Sequence, residues 1–335
     1  MADFPPYLLV APLLAASTCW CVLLVMLKMR WAWAIDVPGE RSLHSTPTLR
    51  TGGFGLMAGM LAAASVHQTW GSPWPWTETL LACALSCASL VDDRRGLPVT
   101  TRLAVHLAAA AAYAFTLPPA AGLTGSTIAM LLVMTLAIVA MTNFYNFMDG
   151  ANGMAGGMAA IGFGAYAWGA WPIVPALVSM SLALAGAALA FLAFNLRGKI
   201  FLGDGGSIPL GFLAAVLGFT GWQAGAWPLW FPAMVFAPFI VDAGVTLVRR
   251  IARGENFWQA HRQHYYQRLV QMGFSHARLA VGEYALMLAC AGAALLAREL
   301  DTTGRAAVFA TIGGALLTLM LVIDARWKQF TARSD

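Results

Sequence analysis

The chain has 335 residues, 59% of them hydrophobic and only 10% charged, with a formal net charge of +5. A soluble globular domain carries about 25% charged residues, so a soluble fold is excluded and a polytopic membrane protein remains. The bilayer admits helices or closed barrels as spanning forms, and continuous apolar runs select helices over the alternating short segments of a barrel.

The first apolar run, Pro6 to Met26, has no basic segment before it and no small-residue cleavage site after it, which predicts a retained helix and not a signal peptide. Further runs lie near 52–69, 77–91, 101–117, 125–142, 156–172, 174–194, 207–221, 228–247, 279–297 and 306–323. The expectation is an all-α, single-domain protein over 1–335 with about eleven transmembrane helices. The loops after odd-numbered helices, with the C-terminal tail, hold eighteen Lys and Arg residues, and the other side holds only Arg298 and Arg305. The positive-inside rule then puts the N-terminus outside and the C-terminus in the cytoplasm. The five cysteines all lie in apolar segments without the spacing of a zinc site or a disulfide framework.

The polar chemistry falls in five inner loops, 27–51, 92–100, 142–156, 195–207 and 248–278. The first carries Arg41, His44 and Arg50, which could meet phosphates, and Gly52-Gly53 at the start of the next helix, where backbone amides point outward. A loop holding lipid headgroups is the alternative. The second carries Asp92-Asp93 at the end of an apolar helix, where adjacent carboxylates are costly unless paired or bound. They could hold Mg²⁺ or act on a phosphate, or be neutralised by Arg94 and Arg95. The third places Asn143, Asn146, Asp149 and Asn152 three residues apart, a spacing that can align them on one near-helical face. Amides and a carboxylate in line offer oxygen ligands to a hard cation and hydrogen bonds to a nucleotide, although a polar turn would also collect them.

The fourth loop, Asn195 to Ser207, sets Lys199 and Asp204 among glycines before a helix, in the manner of a phosphate-binding loop but without Walker A spacing. Asp242 lies inside the ninth span, a functional hypothesis by default unless a basic neighbour pairs with it. The fifth loop contains His261-Arg262-Gln263-His264-Tyr265-Tyr266-Gln267-Arg268, in which His261, His264 and Arg268 could share a helical face. A membrane-surface anchor fits the same residues.

Taken in order, these blocks resemble the polyprenyl-phosphate N-acetylhexosamine-1-phosphate transferases, the WecA/MraY-type superfamily of glycosyltransferase family 4. Asp92-Asp93 looks like the family's acidic pair, and Asn143, Asn146 and Asp149 match its N-x-x-N-x-x-D-G block. Phe201 to Ser207 is similar to its F-M-G-D-x-G-S block, and the first loop to its D-x-P-x-x-R-x-x-H…P-x-x-G-G entry. Asn152 stands where many members have Asp, and the histidine block is similar to that of the WbpL-type, O-antigen-initiating branch. The resemblance implies transfer of a sugar 1-phosphate from a UDP-sugar to undecaprenyl phosphate with release of UMP. The protein would be multi-pass in a bacterial cytoplasmic membrane, with a periplasmic N-terminus and a site facing the cytoplasm.

The implied cofactor is Mg²⁺, with Mn²⁺ as the alternative. Asp204 and Asn146 are the implied metal ligands, and Asp92, Asp93 and Asp149 the catalytic carboxylates. Arg41, His44, Asn143, Asn146, Lys199, His261, Arg262, His264 and Arg268 are the substrate contacts. No nucleic-acid partner is implied, and a homodimer is compatible with the pattern. A transporter or flippase of lipid-linked sugars is the competing reading. It explains the helices and Asp242 but not why polar clusters avoid the outer side.

Overall fold

A computed structural model of the protein describes residues 5–29, 35–36, 47–116, 124–256, 259 and 261–333. Helices occupy each apolar run expected from the sequence. They are α1 (Tyr7–Met29), α2 (Gly52–Thr69), α3 (Trp76–Arg95), α4 (Val99–Phe115), α5 (Gly125–Phe147), α6 (Met154–Ala170), α7 (Pro175–Asn195), α8 (Asp204–Gln223), α9 (Trp230–Val235), α10 (Ala237–Ala252), α11 (Tyr265–Gln271), α12 (His276–Glu299) and α13 (Thr302–Thr331). Among the described residues, six helices (α1, α5, α7, α8, α12 and α13) are long and apolar enough to cross a bilayer. Leu13, Leu80, Val133, Trp168 and Val281 stand 63–76% exposed, the apolar surface that lipid covers in a multi-pass membrane protein.

Of the six, α7 and α8 are the most enclosed. The core runs between them and their neighbours through Phe163, Tyr166, Phe191, Phe212, Phe231 and Phe236. Side-chain caps start several helices. Thr124 Oγ1 accepts from the Thr127 amide, Ser275 Oγ from Arg278, and an Asp301 carboxylate oxygen from Gly304.

Two sequence expectations change. The run 228–247 is two helices, not one, broken at Phe236. Pro238 sits in the first turn of α10, where its missing N–H costs nothing, but it cannot continue a helix from α9. The all-α expectation holds, with one short hairpin beside the helices. Strands β1 (Ile35–Asp36) and β2 (Thr48–Leu49) pair antiparallel, with Asp36 opposite Thr48. Finally, the loops are shorter than their hydropathy suggests. α3 continues to Arg95 and α5 to Phe147, so Asp92, Asp93, Asn143 and Asn146 all sit in final helical turns. Hydropathy ends a span at its first polar residues, but the hydrogen-bonded backbone does not stop there.

Candidate active site

The site starts from backbone pairing between two segments about 150 residues apart. The Phe201 amide donates to Leu49 O at 2.7 Å, and the Gly52 and Gly53 amides donate to Phe201 O and Leu202 O, both at 2.9 Å. The Gly52-Gly53 amides, expected to face a phosphate, are therefore spent on holding the first loop against the fourth. Gly53 makes this possible, because a Cβ there would run into the backbone of Gly205 and Gly206. The pairing sets Asp36 and Arg50 beside Asp204, the first residue of α8.

A second tie joins the third loop to the fourth. The buried Asn195 accepts from the Gly153 amide at 2.6 Å and donates to Ile200 O at 2.9 Å. Removing that amide would strand two backbone groups, each at a cost of about 1–3 kcal/mol. A lid of short helix follows. Asp242 of α10 accepts from the Tyr265 and Tyr266 amides at 2.9 and 3.0 Å, capping α11 from outside. The same carboxylate meets His264 Nδ1 at 3.3 Å. This is the work of the carboxylate whose sequence position inside a span suggested function. Tyr266 then reaches over the third loop, its hydroxyl donating to Phe147 O at 3.0 Å. Gly150 leaves room for that hydroxyl, which a Cβ would strike.

These ties enclose a cavity of about 190 Å³ lined by Asp36, Arg50, Asn146, Asp149, Asn152, Asn195, Asp204, Gln267 and His276, among others. Asn146 Oδ1 accepts from Ser207 Oγ at 2.6 Å, joining the end of α5 to the start of α8. Arg50 is the electrostatic centre. Its guanidinium lies 3.2 Å from Asp204 and 3.9 Å from both Asp36 and Asp93. Burial opposes its charge, yet Asp204, Asp93 and Asp36 hold it above its ordinary pKa. Burial raises the Asp93 carboxyl to about 6 against the pull of Arg50, with Asp204 and Asp92 adding to the rise. Burial and then Asp204 push Asp149 well above the usual carboxylate range, while Arg50 and the Gly203 amide oppose. Too many carboxylates share this space for all to be comfortably ionised, a condition that a bound cation relieves.

The sequence-derived residues divide. Asn146, Asp149 and Asp204 meet at the cavity. Asn152 lines it too, with its backbone N–H donating to His276 Nδ1 at 3.3 Å. Asp93 adjoins it through Arg50. Asp92 turns away. Its oxygens accept from the Leu97 amide at 2.6 Å and pair with Arg102 at 3.4 Å. Asn143 also leaves the expected common face, donating to Val139 O and approaching His106. The α5 helix turns these two Asn side chains apart, and Asp149 and Asn152 lie in the turn beyond its end. Lys199 and Arg262 are exposed and do not line the cavity.

His261 and His264 pack ring to ring at 4.8 Å, with His264 beside Phe147. Burial lowers His261 to about 4, with His264 and Arg250 adding to the effect. Arg268 does not share their face and bonds Asp324 at 2.9 Å. Arg41 and His44 lie outside the described residues. Sequence reading missed Asn195, Gln267 and His276 as cavity residues. Asn195 opens a recognised block and could have been flagged, but His276 lies beyond every motif.

A polytopic membrane protein whose helix ends gather carboxylates, amides and a guanidinium around one polar cavity is equipped to manage phosphoryl charge. The family model described as glycosyl transferase family 4 matches residues 76–221. The chain is 30% identical over 296 residues to decaprenyl-phosphate N-acetylglucosaminephosphotransferase of Mycobacterium leprae, covering 73% of this chain and 72% of that one. It is 27% identical over 288 residues to undecaprenyl-phosphate alpha-N-acetylglucosaminyl 1-phosphate transferase of Yersinia pestis, covering 78% and 75%. An 83-residue stretch is 43% identical to phospho-N-acetylmuramoyl-pentapeptide-transferase of Oceanobacillus iheyensis, covering 24% and 26%. The chain belongs to glycosyl transferase family 4, within the WecA/MraY-type superfamily, and is a phosphoglycosyltransferase.

Proposed function

We propose that the protein transfers an N-acetylhexosamine 1-phosphate from its UDP-sugar to undecaprenyl phosphate, releasing UMP. The observation that carries this reading is the convergence of Arg50, Asn146, Asp149 and Asp204 on one cavity. It agrees with the names of the relatives, a decaprenyl-phosphate N-acetylglucosaminephosphotransferase and an undecaprenyl-phosphate alpha-N-acetylglucosaminyl 1-phosphate transferase. The basic bias supports a cytoplasmic mouth for the cavity, where a nucleotide sugar is found, and the bilayer supplies the acceptor.

The donor set fits Mg²⁺. Among the described residues no three His, Cys, Asp or Glu side chains form a ready cage. Mg²⁺ does not need one, since it typically takes one or two carboxylates, substrate phosphates and water. Asp149 and Asp204 with the Asn146 amide oxygen would hold it, and Mn²⁺ suits the same oxygens. When bound, the ion offsets the negative charge of the donor diphosphate and of its transfer.

The chain's own groups do the rest. Arg50 offers its guanidinium to the diphosphate from among its carboxylate partners. Asp93, at about 6, matches the second ionisation of a phosphate monoester, also about 6. It can therefore take the acceptor's remaining proton with little cost. An oxygen of the lipid phosphate bonds to the sugar-bearing phosphorus, the bond from that phosphorus to the bridging oxygen breaks, and UMP departs with that oxygen. Asp92, engaged with Arg102 and Leu97, holds the turn that presents Asp93. His264, beside Phe147, and His261, packed against His264, suit the sugar or its diphosphate, with Lys199 and Arg262 adding charge for the approaching nucleotide. The histidine block supports a WbpL-type role in starting O-antigen or a related surface glycan.

The test uses purified protein, undecaprenyl phosphate, Mg²⁺ and a panel of UDP-N-acetylhexosamines. UMP release that stops in excess EDTA and returns with Mg²⁺ is expected. No UMP from any donor sinks the proposal.

A further inference from the structure

The last helix is longer than a bilayer requires. α13 has 30 residues, about 45 Å at 1.5 Å per residue, against a hydrocarbon core of about 30 Å. Its final turns carry Asp324, Arg326 and Lys328. Asp324 is tied to two other elements at once. Arg249 of α10 donates to both its oxygens, at 3.0 and 2.8 Å, and Arg268 of α11 donates at 2.9 Å. The Tyr265 hydroxyl adds a bond at 3.3 Å. Both guanidinium groups also lie over the Tyr265 ring, with Arg268 at 4.9 Å and Arg249 at 5.5 Å.

This cluster bears on the active site because of what α11 does. A helix of seven residues has no stability of its own. It is fixed at its start by Asp242 and along one side by Asp324. Tyr266, next to the clamped Tyr265, presses its hydroxyl over Gly150, and Gln267, next to the clamped Arg268, lines the cavity. Arg268 is buried and faces Asp324, so its charge is committed away from the cavity.

We propose that Asp324 is a positioning residue. Through Arg268 and Tyr265 it holds α11, and with it Gln267 and the Asp149-Gly150 turn, in the geometry that binds the nucleotide sugar. The kinetic part rests on the transferase reading above, while the mechanical part does not. A carboxylate shared by two guanidinium groups is a strong point of attachment, because charge-assisted hydrogen bonds are about twice as strong as neutral ones. The buried Arg268 would be left without its counter-ion if Asp324 lost its charge.

The experiment compares Asp324→Asn, Asp324→Glu, Arg268→Gln and the Asp324→Asn/Arg268→Gln double variant, each first shown by thermal unfolding to be folded. Hydrogen exchange of the 265–271 amides needs no substrate. It is expected to quicken at least about tenfold in Asp324→Asn, with helices away from α11 unchanged. In the UMP assay, KM for the UDP-sugar should rise about tenfold with kcat within about twofold, and Asp324→Glu should recover most of the loss. The double variant should be no worse than either single one, since both act on one attachment. Wild-type exchange at 265–271 in folded Asp324→Asn would overturn the proposal, as would independent, multiplying effects of the two substitutions. If wild-type protein releases no UMP from any donor, the transferase reading fails and the exchange result alone decides the clamp.

Discussion

Replacing Arg50 by Gln removes the guanidinium that Asp36, Asp93 and Asp204 share. Unit charges 4 Å apart interact by about 4 kcal/mol at an effective dielectric of 20. The Arg50 side chain is 34% exposed, and well-solvated pairs are worth about 1 kcal/mol or less. A net effect of about 1–2 kcal/mol on each carboxylate follows, and 1.4 kcal/mol is about tenfold in a binding constant. Two opposite consequences are expected. A cation entering the cavity no longer competes with the guanidinium, so the half-saturating Mg²⁺ concentration should fall about tenfold. The donor diphosphate loses a charged partner, so kcat/KM for the UDP-sugar should fall at least about tenfold. The assay is UMP release titrated with free Mg²⁺ and then with donor, with Arg50→Lys as the charge-conserving control. Folded Arg50→Gln with unchanged Mg²⁺ dependence and unchanged kcat/KM would refute the electrostatic account of this cavity.

Asp149→Asn keeps size and hydrogen bonding but removes one charge, and turnover is expected to fall at least about a hundredfold. Asn152→Ala should cost much less, and the comparison is read at equal expression and thermal stability. Gly53→Ala drives a methyl into the Gly205-Gly206 backbone, and overpacking of this kind costs about 1–3 kcal/mol. Its thermal midpoint in detergent should drop and UMP release should fall with it, because Asp204 adjoins the displaced residues. An unshifted midpoint would show that the two loops are not laced together as described. For topology, a membrane-impermeant thiol reagent applied to intact cells should label Thr302→Cys and not Gln263→Cys, each in a cysteine-free background. Labelling of the second position would place the cavity on the wrong face of the membrane.

The candidate site was legible where chemistry is local. The Asp149-Gly150 turn and the Gly203-Asp204-Gly205-Gly206 run announce themselves, because polar and glycine-rich residues between apolar runs have few uses in a membrane protein. Arg50 was visible as a basic loop residue, but its partners were not. They come from β1, α3 and α8. The helical spacing of Asn143 and Asn146 was read correctly as spacing and wrongly as a shared face, since Asn143 points to His106 and the helix ends at Phe147. The family resemblance implies Arg268 as a substrate contact. The side chain that claims it, Asp324, lies 56 residues away.

Composition and the order of the apolar runs by themselves determined that the chain is a helical membrane protein, because lipid leaves the backbone few ways to satisfy its hydrogen bonds. The acidic blocks carried the resemblance to the family that the relatives then showed. Tertiary structure alone decided which carboxylate of Asp92-Asp93 reaches Arg50, what Asp242 caps, and that Gln267 and His276 join the lining. The physical reason is the range of the interactions. Hydropathy and turn chemistry act over a few residues and can be read along the chain. A cavity's charge balance is set by side chains that meet only after the helices have packed.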